Sequence, residues 1–188
     1  MGAILDIILS LVIRGAIAIA ILNMTISLQG KLSEKTAQAN MFNLTAVVSR
    51  VVAYDCNLTG YNVSSPFFTS AKIDTMELTY YDPSTLGQVW IKYFAGDTSE
   101  MSGSRNPRDK KLYRIRSTAG PGTGARTVAA VGLDSLRFDY FDQSGSATST
   151  LTSIKSFTVY LVMASGEKVN GIYPAAEWNY RFFPSNIN

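Results

Sequence analysis

Hydrophobic and polar positions change their rhythm twice along this chain. Residues 3–28, AILDIILSLVIRGAIAIAILNMTISL, are apolar all round, and a bilayer-spanning helix needs roughly 20 such residues. After Gly30 the chain turns polar, and then Met41, Leu44, Val48, Val51 and Val52 recur at spacings of three and four. That spacing marks a helix with one apolar stripe. No proline separates the two stretches, so together they predict a single helix from Ala3 to Tyr54, ~75 Å long at 1.5 Å per residue. Its start should lie in lipid or among other helices, and its end on a separate domain.

From Ile73 the period falls to two. Met76, Leu78 and Tyr80 alternate with polar neighbours in IDTMELTYYD, and Val89, Ile91 and Tyr93 do so in GQVWIKYFA; the turn DPSTLG joins them as a hairpin. KLYRIRS comes next with Tyr113 and Ile115 on one face, then the glycine-rich loop AGPGTGA, which reads as a flexible connection. VAAVG leads into LDSLRFDYFD, SIKSFTVYLVMAS puts Phe157, Val159, Leu161 and Met163 on one face, and EWNYRFF alternates Trp178, Tyr180 and Phe182. Residues 55–72, rich in Asn, Ser, Gly and Pro, read as the connector out of the helix.

The expected fold is α+β: a long N-terminal helix over residues 1–54, laid on an antiparallel sheet of six or seven strands in residues 55–188. LDSLRFDYFD echoes IDTMELTYYD position by position, which suggests duplicated hairpins at 73–95 and 133–163. Asp82 and Asp142 would open their turns, because a short carboxylate can bond its own backbone there. Tyr81, Trp90, Phe94, Phe141 and Phe183 fall on the opposite strand faces. They suit subunit contacts, or a sheet covered on both sides.

Composition narrows the chemistry. The net charge is only +3, too mild to imply a nucleic-acid partner by itself. With no His and one Cys, the chain can hold no internal disulfide, no Cys/His metal cluster and no His-based triad. Cys56 reads as a small packed hydrophobe. No nucleophile with a base and no phosphate loop is evident, so neither an enzyme nor a cofactor is expected. Asn-x-Ser/Thr sequons occur at Asn23, Asn43, Asn57 and Asn62.

Two charges inside the apolar run carry more information. Ionisable groups there are costly and usually partnered. Asp6 and Arg14 are eight residues apart, ~12 Å along the axis, too far to touch within one helix. Either they pair between molecules staggered by that distance, building an open filament, or Asp6 sits at the membrane interface while Arg14 snorkels to the headgroups. Gly15 and Gly30 are the points where such a helix could bend. A second cluster, Arg105, Arg108, Lys110, Lys111, Arg114 and Arg116, with Arg126 nearby, is a candidate contact for surfaces or polyanions.

An apolar N-terminal helix with an early acid, running on amphipathically into a β domain, resembles the type IV pilins and pseudopilins. The stretch LRFDYFDQSGSATSTLTSIKSFTVYLVM is most similar to the J-type minor pseudopilins. The resemblance implies a filament with helices bundled at its centre and β domains outside, its subunits drawn from the cytoplasmic membrane by an assembly platform and ATPase. In that family a basic leader is cut after a Gly, and a Glu at the fifth mature position answers a neighbour's N-terminal amine. Here residues 1–5 hold no Lys or Arg, and Asp6 becomes fifth only once Met1 is removed to expose Gly2. The expected function is therefore a structural subunit of an extracellular, pilus-like homopolymer. The alternatives are a single-span surface adhesion or scaffold protein that does not polymerise, and a minor subunit at the filament tip.

Overall fold

The computed structural model describes residues 2–186. Helix α1 runs unbroken over Gly2–Asn57, 56 residues, or ~84 Å. Seven strands come after it: β1 (Phe68–Ala71), β2 (Thr75–Asp82), β3 (Gly87–Ala95), β4 (Lys110–Ser117), β5 (Arg126–Phe141), β6 (Ser156–Ala164) and β7 (Ala175–Phe182). They form one antiparallel sheet in chain order, each strand beside the one before it. The α+β class and the long helix on an antiparallel sheet are as the periodicity predicts.

The sheet curls. The Phe138 amide donates to the Ile73 carbonyl at 2.8 Å, and the Phe68 ring of β1 meets Tyr140 and Phe157 edge-on at 5.8 and 5.3 Å. Curling makes a concave face on which Met76, Leu78, Val89, Ile91, Phe138, Phe157, Val159 and Leu161 are buried in one cluster. The lower third of α1 closes that face, packing against β6 and β7. Its buried side chains are Thr45, Val48, Ser49, Val52, Asp55 and Cys56, a stripe at helical spacing. Thr45 and Ser49 are tolerated there because each hydroxyl donates to a carbonyl one turn back, Met41 and Ala46 respectively.

Several expectations are corrected. Val51 does not join the buried stripe: one residue before Val52 on the helix, it is 45% exposed. The connector holds a further strand, β1, because Gly60 and residues 61–67 bond back to β2 through Thr79 and Tyr81 and carry the chain along its edge. VAAVG and LDSLRFDYFD are one 16-residue strand with a register shift after Leu133. At that kink Gly132 has φ +93, a conformation that L side chains rarely adopt. The glycine-rich loop is also more firmly held than its composition suggests, since the Gly122 amide donates to Glu77 Oε1 at 2.6 Å and Thr123 bonds Ser117.

The two echoed segments share their turn chemistry. Asp82 Oδ1 accepts from the Ser84 amide at 2.8 Å, and Asp142 Oδ1 accepts from the Ser144 and Ser146 amides at 2.9 and 3.0 Å. They differ in the route to the next strand. A short turn leads from β2 to β3, whereas residues 142–155, with a 3-10 turn, lead from β5 to β6. Phe68, fully buried where the curl closes, is the test of this packing. Phe68→Ala should lower unfolding stability by ~3–5 kcal/mol, whereas Val51→Ala should change it by less than ~0.5 kcal/mol; urea titration of the chain in detergent micelles measures both.

Candidate functional site

From Ile7 to Leu28, α1 lies free of the other described residues. Thirteen large apolar side chains from Ile7 to Leu28 are each 50–71% exposed. The helix is long and apolar enough to cross a membrane, and its most apolar window buries nothing within the chain. Asp6 and Arg14 are both exposed and line one shallow groove with Ile7, Ser10 and Leu11. Among the described residues neither forms an ion pair. Whatever answers these charges comes from outside the described chain.

Neither candidate flexible position interrupts the helix. A side chain at Gly15 would meet nothing within 4 Å. Gly30 sits under the loop between β6 and β7, where Asn170 Nδ2 donates to the Gly30 carbonyl and to Glu34 at 3.3 Å each. Gly30 is thus the first point at which the domain grips the helix.

The last grip is ionic. Asp55, fully buried near the end of α1, accepts from Arg114 Nε and a terminal guanidinium nitrogen at 2.7 and 2.9 Å, and from the Tyr93 hydroxyl at 2.5 Å. Burial, then the Asp55 charge, pushes the Tyr93 hydroxyl pKa up. Burial pulls the Arg114 guanidinium down, but the bonds and charge of Asp55 outweigh it and raise it. Burial also raises the Cys56 thiol, which removes it as a nucleophile at neutral pH.

Arg114 therefore leaves the proposed polyanion cluster, because it faces the helix rather than solvent. The remaining cations do not form one free face. Arg105 lies 3.7 Å from Glu167, Arg108 lies 3.0 Å from Asp134, Arg116 pairs with Asp82, and Arg126 lies 3.6 Å from Glu100 while covering the Tyr113 ring at 3.9 Å. Lys110 and Lys111 are half-buried on β4. The fold brings acids from β2, β5, the 3-10 turn at Thr98–Met101 and the loop after β6 to this basic segment, which its linear sequence does not reveal.

The outer-face aromatics are mostly covered by their own chain. Phe94 stacks on Tyr113 at 5.4 Å and Phe141 lies under Arg181 at 4.0 Å, whereas Phe183 is 70% exposed. A second apolar stripe, Val47, Val51 and Tyr54, runs down α1 on the side away from the sheet. Of the four sequons, those at Asn23, Asn43 and Asn57 have their hydroxyls bonded to helix carbonyls, and the one at Asn62 lies in an exposed turn. Compared with family models, curated proteins and solved structures, the chain matches none of them.

Two measurements check this electrostatic layout. Asp55→Ala strands the half-buried Arg114 guanidinium and the Tyr93 hydroxyl and should cost ~1–3 kcal/mol, part of it recovered when Arg114→Met is added; chemical denaturation of both variants reads the difference. Bonds from Ser84 to Asp82, and from Ser144 to Asp142, hold both carboxyl pKa values below the usual range. The turns they close should be intact above about pH 4, the unfolded value. They should loosen only as pH falls through the depressed folded values, visible as late acid shifts of the Ser84 and Ser144 amide resonances.

Proposed function

We propose that the chain is a structural subunit of an extracellular, pilus-like filament, held in a membrane by α1 before assembly and polymerising through that helix with the β domain outside. The observation that carries the reading is the distribution of exposed apolar surface on α1. A single anchor requires only the spanning stretch. Here the apolar surface continues below it as Val47, Val51 and Tyr54, on the side the sheet leaves bare. Neighbouring helices of other copies would cover both parts.

The charges support the same arrangement. Asp6 and Arg14 share one side of the helix and lack ion-pair partners among the described residues. In a low-dielectric helix bundle two such charges are tolerable only when paired. An axial stagger of ~12 Å between copies brings Arg14 of one level with Asp6 of the next. Because that contact is head-to-tail, it propagates rather than closes.

Asp6→Ala should leave a folded, membrane-inserted monomer and abolish fibres in sheared surface fractions viewed by electron microscopy. Arg14→Ala should do the same, and the exchanged pair Asp6→Arg with Arg14→Asp should restore fibres in part. Abundant fibres from Asp6→Ala would remove the charge pair as the assembly contact, whereas a parent chain that yields no fibres would favour the non-polymerising anchor.

A further inference from the structure

Between the turn after β5, the start of β6 and the end of β7 lies an open cleft of about 570 Å3. It stands at the end of the domain remote from the free apolar stretch of α1. The β6–β7 loop touches α1 at Gly30 through Asn170, whereas Phe182, at the close of β7, lines a groove with Asn57. Along the helix those two contacts are ~40 Å apart.

The fixed cation of this cleft is Arg181, on β7. Its guanidinium carbon lies 4.0 Å from the Phe141 ring centre and 5.1 Å from that of Phe183. Nε and one terminal nitrogen donate to Oγ of the buried Ser156 at 3.3 and 2.9 Å. Two rings and a buried hydroxyl thus hold the guanidinium in place. The other six arginines of the β domain each pair with a carboxylate, whereas Arg181 pairs with none among the described residues. A guanidinium that is held in place and partly desolvated is well suited to receive a planar carboxylate, which matches its parallel N–H donors.

The rest of the lining bears on what carries that carboxylate. Asp142 lies in the same cleft, its Oδ1 occupied by the Ser144 and Ser146 amides. Set against Lys155 and Arg181, it leaves only a small excess of positive charge, too little to hold a densely charged polyanion. Asp142, Gln143 and the exposed turn at Ser144 and Gly145 instead offer polar partners to hydroxyl groups. Phe183, 70% exposed, adds an apolar platform. We propose that the cleft binds a uronic or sialic acid unit of an acidic polysaccharide. Arg181 takes the carboxylate, the turn at 142–145 meets ring hydroxyls, and Phe183 packs on an apolar face of the ring. The volume of the cleft is that of an ordinary small-molecule site. Because its lining comes from the β domain, the site is independent of the filament reading and would serve an anchored monomer equally.

The test is an NMR titration of the full chain in detergent micelles with methyl glucuronide, methyl galacturonide and N-acetylneuraminic acid, reading the amide resonances of Gly145, Ser156 and Phe183. At least one of these acidic sugars should shift them saturably, with Kd on the order of 1 mM. Methyl glucoside, acetate and an oligoglutamate peptide should bind at least ~10-fold more weakly, since each lacks either the carboxylate or the ring. Arg181→Gln should weaken the acidic sugar ~10–100-fold, and Phe183→Ala, at an exposed ring, ~3–10-fold. Arg105→Gln, outside the cleft, should change nothing. No saturable shift with any of the three acidic sugars up to about 20 mM, an equal response to glucoside, acetate or peptide, or unchanged binding in Arg181→Gln would overturn the proposal. Should Arg181→Gln not fold, Phe183→Ala decides, and unchanged binding there overturns it.

Discussion

The constraint on which everything else turns is that the upper half of α1 cannot remain in water. Its thirteen exposed large apolar side chains, brought out of water at roughly 1–2 kcal/mol each, represent about 13–26 kcal/mol. That exceeds the net stability of an ordinary domain. The described residues meet none of this demand themselves, because among them the sheet grips α1 only from Gly30 downward. Folding of the β domain and burial of the upper helix are thus separate problems, solved by different partners.

Within the domain, the helix is fixed by two kinds of contact. Val48, Val52 and Cys56 fill the concave face of the curled sheet, which supplies most of the driving force. Asp55, Arg114 and Tyr93 then set the rotation and register of the helix end, since a buried carboxylate with three directed bonds accepts only one placement. Net stabilisation from such a cluster is small; its value lies in penalising every other register. Fixing the helix this way also decides which side faces outward, and so where Val47, Val51 and Tyr54 are presented.

Much of this was legible in the chain. Periods of 3.6 and 2 locate α1, the β2–β3 hairpin and β6 because each element has one face in a common core, and Asp82 and Asp142 declare their turns by local chemistry alone. What escaped depended on long-range pairing. β1 lies in a Pro- and Ser-rich stretch with no period of its own, and it exists because the chain beside it bonds to β2. Arg114 looks like one of a basic run until the fold brings Asp55 to it across 59 residues.

The central claim is that the upper helix is covered by copies of itself, offset along the axis, rather than by lipid alone. Cysteine cross-linking tests it directly, against a low background because the native Cys56 is fully buried. With Ser10→Cys and Ala18→Cys chains expressed together, which are also eight residues apart and keep both Asp6 and Arg14, the account predicts cross-linked dimers joining position 10 of one to position 18 of the other, and few joining like positions. Dimers that join only like positions, or chains that stay uncross-linked in surface material, would contradict it.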